Sequence, residues 1–189
     1  MPLKTHPTMP LAALLLALAP LLTVQAAQRD EAASAVERLA PIYRHSILVS
    51  DLERSLTLYR DVLGLALGRI SETPEDSYSY RFFNIEPAAM RRFAYLHGEE
   101  GHRNVLGLGE VPGIDLALPE APRASAYVQT VADVEGVRAA VEALGLEVIE
   151  PVRFMSREAG RPGMEFGIID FDGHLILVYG LLRQHGDGT

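Results

Sequence analysis

Apolar residues recur along this chain with two periods, and the switch between them happens twice in the same order. From Tyr43 to Val49 the residues are β-branched and aromatic enough for a strand. Asp51 stands where a helix cap belongs. Leu52, Leu56, Tyr59, Val62 and Leu63 then follow at three- and four-residue intervals, which makes one face of a helix. Gly64 is placed to end that helix in a left-handed turn, and Leu65 to Ile70 resumes as a strand. The order returns with a strand from Ser125 to Val131, a capping Asp133, a helix over Val134 to Leu144, Gly145 as the stop, and a strand over Leu146 to Val152. Asp51 to Gly64 is thirteen positions and Asp133 to Gly145 is twelve, so the copies match to within one residue. A repeated supersecondary unit sets the architecture before any chemistry is considered.

The remaining stretches complete each copy. Residues 71–89 are irregular and gather Tyr78, Tyr80, Phe82 and Phe83, a grouping that reads either as a plug closing a core or as a lid over a pocket. Arg91 to His97 and Asn104 to Glu110 read as the arms of a hairpin, and a proline-bearing connector runs from Val111 to Arg123. A loop around Gly160 to Gly163 leads to a final hairpin, Met164 to Ile169 and His174 to Tyr179, closing on Asp170-Phe171-Asp172-Gly173. Each copy is therefore β-α-β-β-β, and the fold class is α+β. The domain covers 42–184, with modules at 42–111 and 124–184. One such unit leaves a sheet face bare, so two must pack together.

The N-terminus adds an address. Lys4 precedes an apolar run from Leu11 to Val24 broken by Pro20, and small residues follow at Ala26 and Ala27. That is the pattern of a secretory signal peptide over 1–26, with 27–41 as a linker. The run falls short of the roughly 20 apolar residues that a spanning helix needs, so no stable membrane span is expected after cleavage. The expected location is the periplasm or the exterior. Cleavage removes one lysine and no acid, which moves the formal charge of −8 further negative and opposes nucleic acid as a partner. The chain has no cysteine, and Lys4 is its only lysine. Disulfides, thiolate chemistry and a lysine Schiff base are thereby excluded from the mature protein.

The stretch from Val49-Ser50-Asp51-Leu52 through Arg54-Ser55-Leu56 to Tyr59-Arg60-Asp61-Val62-Leu63-Gly64-Leu65 resembles the opening of the vicinal oxygen chelate superfamily, and Asp170 to Gly173 resembles its closing turn. That superfamily includes glyoxalase I, extradiol dioxygenases, fosfomycin-resistance transferases and bleomycin-binding proteins. The resemblance implies two β-α-β-β-β modules forming a cupped mixed sheet around a cavity, often in a homodimer. It also implies a divalent metal ion held by His and Glu, at positions that here carry Arg44, Gly107, Ala126 and Leu177. A guanidinium offers no lone pair, and Gly, Ala and Leu offer no side-chain ligand. No metal cofactor is therefore expected.

Strand alternation assigns the face of the cavity. Arg44 and Ser46 on the first strand, Gly107 on the fourth, Ala126 and Val128 on the first strand of module two, and Leu177 and Tyr179 on the last give a mostly apolar pocket with one fixed cation. Arg44 would meet a ligand carboxylate or phosphate, or else form an internal salt bridge to Glu110 or Glu165. His45 falls on the opposite face unless a bulge inverts the strand, and Arg91-Arg92 reads as an edge charge. The function expected is an exported protein binding a small, partly apolar molecule without the usual metal. The alternatives are a metal-dependent lyase or dioxygenase with substitute ligands, and a scaffold.

Overall fold

In a computed structural model that describes residues 42–99, 102–116 and 122–183, the repeat becomes two copies of one unit within Tyr43–Thr189. The first comprises β1 (His45–Val49), α1 (Leu52–Leu56), β2 (Ala66–Glu72), α2 (Ser79–Phe83), β3 (Arg92–His97) and β4 (Leu106–Glu110). The second comprises β5 (Tyr127–Thr130), α3 (Val134–Ala143), β6 (Glu147–Met155), β7 (Pro162–Ile169) and β8 (Leu175–Leu181). The segments read as a signal peptide and linker lie outside the described residues.

Local chemistry places both helices. Asp51 Oδ1 accepts the Arg54 N–H at 3.0 Å, and Asp133 Oδ1 accepts the Gly136 N–H at 3.0 Å, so each helix starts on its predicted cap. Gly64 at φ +77° and Gly145 at φ +72° end them in the left-handed region. After α1 the chain widens into a π-helical stretch over Thr57–Val62, a feature that three- and four-residue spacing does not distinguish from an α-helix.

Each module forms its own four-stranded mixed sheet, in the orders β1-β4-β3-β2 and β5-β8-β7-β6, with the first pair parallel and the others antiparallel. β6 outruns its predicted end at Val152. Its register shifts between Ile149 and Val152, so Pro151 sits in the irregularity, where a missing N–H breaks no ladder bond, and pairing resumes to Met155.

A shared core joins the modules: Ile47, Val49, Leu106 and Leu108 from the first sheet meet Phe166, Ile168, Ile176 and Val178 from the second, under Leu52, Leu56, Val134 and Val141 of the helices. The turn after β7 bolts them together. Tyr59 Oη donates to the buried Asp170 Oδ2 at 2.7 Å, while Asp170 Oδ1 accepts the N–H groups of Asp172 at 3.0 Å and His174 at 2.7 Å. Burial first, then the Asp170 carboxylate, pushes the Tyr59 phenol well above its ordinary range, so it remains a donor. Asp172 accepts from Ser50 Oγ, and His174 Nε2 donates to the Leu48 carbonyl at 2.8 Å. The resembled closing turn is thus a structural joint between modules.

The opposite face of the first sheet carries a second cluster of Tyr80, Met90, Phe93 and Val111, with Phe83 and Ile85 packed against it. The aromatic segment divides between burial and exposure. Tyr80 is a plug at 5% exposure, whereas Tyr78 and Phe82 stand out at 75% and 67%.

Candidate functional site

Beside that plug, the first sheet is built to hold a cation. β4 alternates, turning Leu106 and Leu108 into the shared core and Gly107 onto the other face. Registered across the sheet are Ser46, Gly107, Tyr95 and Arg69. A Cβ at position 107 would lie 2.5 Å from Phe93 Cζ and 3.0 Å from Arg44 Cδ. The glycine leaves the space in which the Arg44 side chain crosses the strand and the Phe93 ring turns toward it. The Arg44 guanidinium carbon sits 5.0 Å from the centre of Tyr95, 5.2 Å from Phe93 and 5.7 Å from Tyr43, and Nε donates to Ser46 Oγ at 3.0 Å. Ring faces attract a cation electrostatically, and the contact strengthens as water is removed. Arg69 reaches the same Tyr95 ring from β2, at 4.7 Å. Among the described residues neither arginine has a carboxylate partner. A cleft of about 520 Å³ opens over Arg44 and Ser46, walled by Phe93 and by Ser77, Phe82 and Phe83 of the α2 segment.

The expected salt bridge from Arg44 to Glu110 or Glu165 does not form. Glu110 belongs to Arg92, which donates to its two oxygens from Nε at 2.7 Å and Nη2 at 2.8 Å, and the Leu52 N–H adds a third bond at 3.1 Å. Arg92 first and that N–H second hold the Glu110 carboxyl below its ordinary range. Arg92 is consequently a structural pair rather than the edge charge expected, because β3 registers it directly opposite Glu110. Glu165 lies on the second sheet, opposite Tyr179.

The profile of the Glyoxalase/Bleomycin resistance protein/Dioxygenase superfamily matches residues 36–177. The chain belongs to this superfamily. It is 39% identical over 88 residues to the lactoylglutathione lyase of Haemophilus influenzae, across 43% of this chain and 65% of that enzyme, so it spans less than two thirds of the curated relative's length. A glyoxalase family protein from Bacillus cereus matches with TM-score 0.58 at 19% identity, over 77% of this chain and 97% of that one. The trypanothione-dependent glyoxalase I of Leishmania major matches with TM-score 0.52 at 22% identity, over 76% and 87%. At those identities the structures show the shared fold.

The divalent ion that the superfamily implies does not fit the residues of this member. The positions at issue hold Arg44, Gly107, Ala126 and Leu177, and among the described residues no three His, Cys, Asp or Glu side chains come together as a ligand set.

The other expected pocket residues fall into separate places. Val128, Leu177 and Tyr179 share the outer face of the second sheet, where Val128 is 54% and Tyr179 38% exposed. Ala126 instead borders a cavity of about 130 Å³ at the module junction, with His45, Arg123, Tyr127 and His174. His45 lies on the side opposite Ser46, as alternation predicts, stacked on Tyr127 at 6.2 Å between centres. Burial, and secondarily His174, lowers its pKa and favours the neutral ring. His97 Nδ1 accepts the Asn104 N–H at 2.8 Å and stiffens the β3–β4 hairpin. Sequence reasoning brought Arg44, Ser46 and Gly107 to one place; it missed Tyr95 and Arg69, which occupy the same row two and three strands away.

Proposed function

We propose that this superfamily member binds a small, partly apolar molecule over the Arg44 face of its first sheet, without a metal ion, as an exported protein of the periplasm or exterior. The carrying observation is Arg44 itself. A half-buried guanidinium rests on aromatic rings, pairs with no carboxylate among the described residues, and borders an open cleft whose most exposed walls are apolar. Such a group is stabilised when a ligand supplies its missing partner. As a second part of the reading, a homodimer covers the outer face of the second sheet.

The partial identity to a lactoylglutathione lyase favours one competing reading, a metal-dependent lyase or dioxygenase with substitute ligands. The two readings separate in a single experiment. The purified protein is stripped of metal, then melted with and without nickel, zinc, iron or manganese, and its metal content is measured. The binding reading expects no stoichiometric metal and no rise in melting temperature, with small apolar acids raising it instead. A metal bound one per chain that raises the melting temperature would replace that reading with the competing one.

A further inference from the structure

Among the described residues, Arg44 and Arg69 at the first sheet form no ion pair, unlike Arg92 of the same sheet. Arg44 and Arg69 approach one ring, that of Tyr95, at 5.0 and 4.7 Å, so their separation cannot exceed the sum of those distances. The chain as a whole carries a formal charge of −8. Yet the cleft beside Arg44 is lined by arginine, histidine, serines and aromatics, with no carboxylate among its lining residues. A local excess of cation in an acidic protein draws anions to that point and repels them elsewhere. The fork of Arg44 is also pre-set. Its Nε is committed to Ser46 Oγ and its guanidinium carbon lies 5.2 Å from the centre of Phe93 and 5.0 Å from that of Tyr95, which leaves the terminal nitrogens to take two oxygens of one acid group. Across the cleft, Tyr78 and Phe82 stand exposed on the α2 segment, and Ser77 and Ser79 add hydroxyl donors.

From this geometry we infer the ligand class: a planar, apolar body bearing an anionic head, with the head held by Arg44 and the body against the aromatic residues of the α2 segment. Arg69 sets the charge preference, favouring a doubly charged head over a singly charged one. The inference rests on the binding reading above and narrows it. Carboxylate and phosphate monoester heads share the required chemistry and differ in charge, so the test separates them.

Titration calorimetry of the full chain at low salt uses three probes of one shape: phenyl phosphate, benzoate and benzamide. The expected order is phenyl phosphate, then benzoate, then benzamide, with about tenfold between the first and last and a loss of that gap as sodium chloride is added. Arg44→Gln is expected to weaken both acids by about tenfold and leave benzamide unchanged, while Arg44→Lys keeps part of the acid binding because charge survives without the fork. Arg69→Gln is expected to cut the phosphate-to-benzoate ratio about threefold without affecting benzamide. Circular dichroism melts confirm that each variant is folded. Equal binding of all three probes, or acid binding indifferent to Arg44→Gln, overturns the anionic-head inference while the apolar binding reading stands. Failure of all three probes to bind overturns both.

Discussion

Glu110 carries a charge inside the protein because three donors meet it, two from Arg92 and one from the Leu52 N–H at the start of α1. Its side chain is 5% exposed and that of Arg92 23%, so little water screens the pair. Removing Glu110 leaves Arg92 with one partner, the exposed Glu53 at 3.1 Å, so the loss falls below that of a fully uncompensated buried pair, at about 2 kcal/mol. Glu110→Gln is therefore expected to destabilise the protein by about that amount at pH 7, measured by urea unfolding. The pH dependence has a definite sign. The folded carboxyl titrates below its ordinary value of 4.5, so its contribution is complete above that value and fades as pH falls through the lower, folded pKa. The gap between wild type and variant should then narrow across acidic pH; a gap that stays constant to pH 3 would show that the charge is not its source. Arg44 is the contrasting residue. Among the described residues its guanidinium has rings and a hydroxyl instead of a counter-ion, and that difference marks one arginine as structure and the other as a candidate for binding.

At the scale of the element, β4 decides whether Arg44 can lie where it does. Its period of two was legible, since Leu106 and Leu108 alternate with glycines, and it put Gly107 on the site face. The role of that glycine was not legible, because it depends on the long side chains that neighbouring strands send across it. Gly107→Ala places a methyl group against Phe93 Cζ at 2.5 Å and Arg44 Cδ at 3.0 Å, and the flexible ring and side chain must give way. The expected result is a stability cost of about 1–2 kcal/mol from overpacking, with weaker binding of acids and unchanged binding of neutral probes. Acid binding equal to wild type would mean that Arg44 does not need the crossing position. The same limit explains Arg92 and Glu110. Alternation shows which residues share a face, but their pairing needs the β3–β4 register, and the hairpin sequence has no tight-turn signature that fixes it.

For the whole molecule, the duplicated pattern was the strongest signal in the chain, and both caps, both glycine stops and the strands flanking each of those helices follow from it. The arrangement of the expected pocket was harder to read, because periodicity orients residues within a module and says nothing of which sheet faces meet. In the structure Arg44, Ser46 and Gly107 lie on one sheet, Val128, Leu177 and Tyr179 on the outer face of the other, and Ala126 at the junction. That outer face remains unusually apolar for a surface: Val128, Ile149, Val152 and Tyr179 are between 37% and 55% exposed. Glu165 sits in its midst, registered opposite Tyr179 and Val152. We propose that the homodimer covers this face with a second copy related by a two-fold axis. In that homodimer the ligand would lie between Arg44 of one protomer and the apolar sheet of its partner. Sedimentation velocity at micromolar protein is expected to show a dimer, and Val152→Lys, which adds a charge to the exposed apolar face, is expected to give a folded monomer with weakened ligand binding. A wild-type monomer, or a Val152→Lys dimer with unchanged binding, would separate the two faces and leave the Arg44 cleft to act within a single chain.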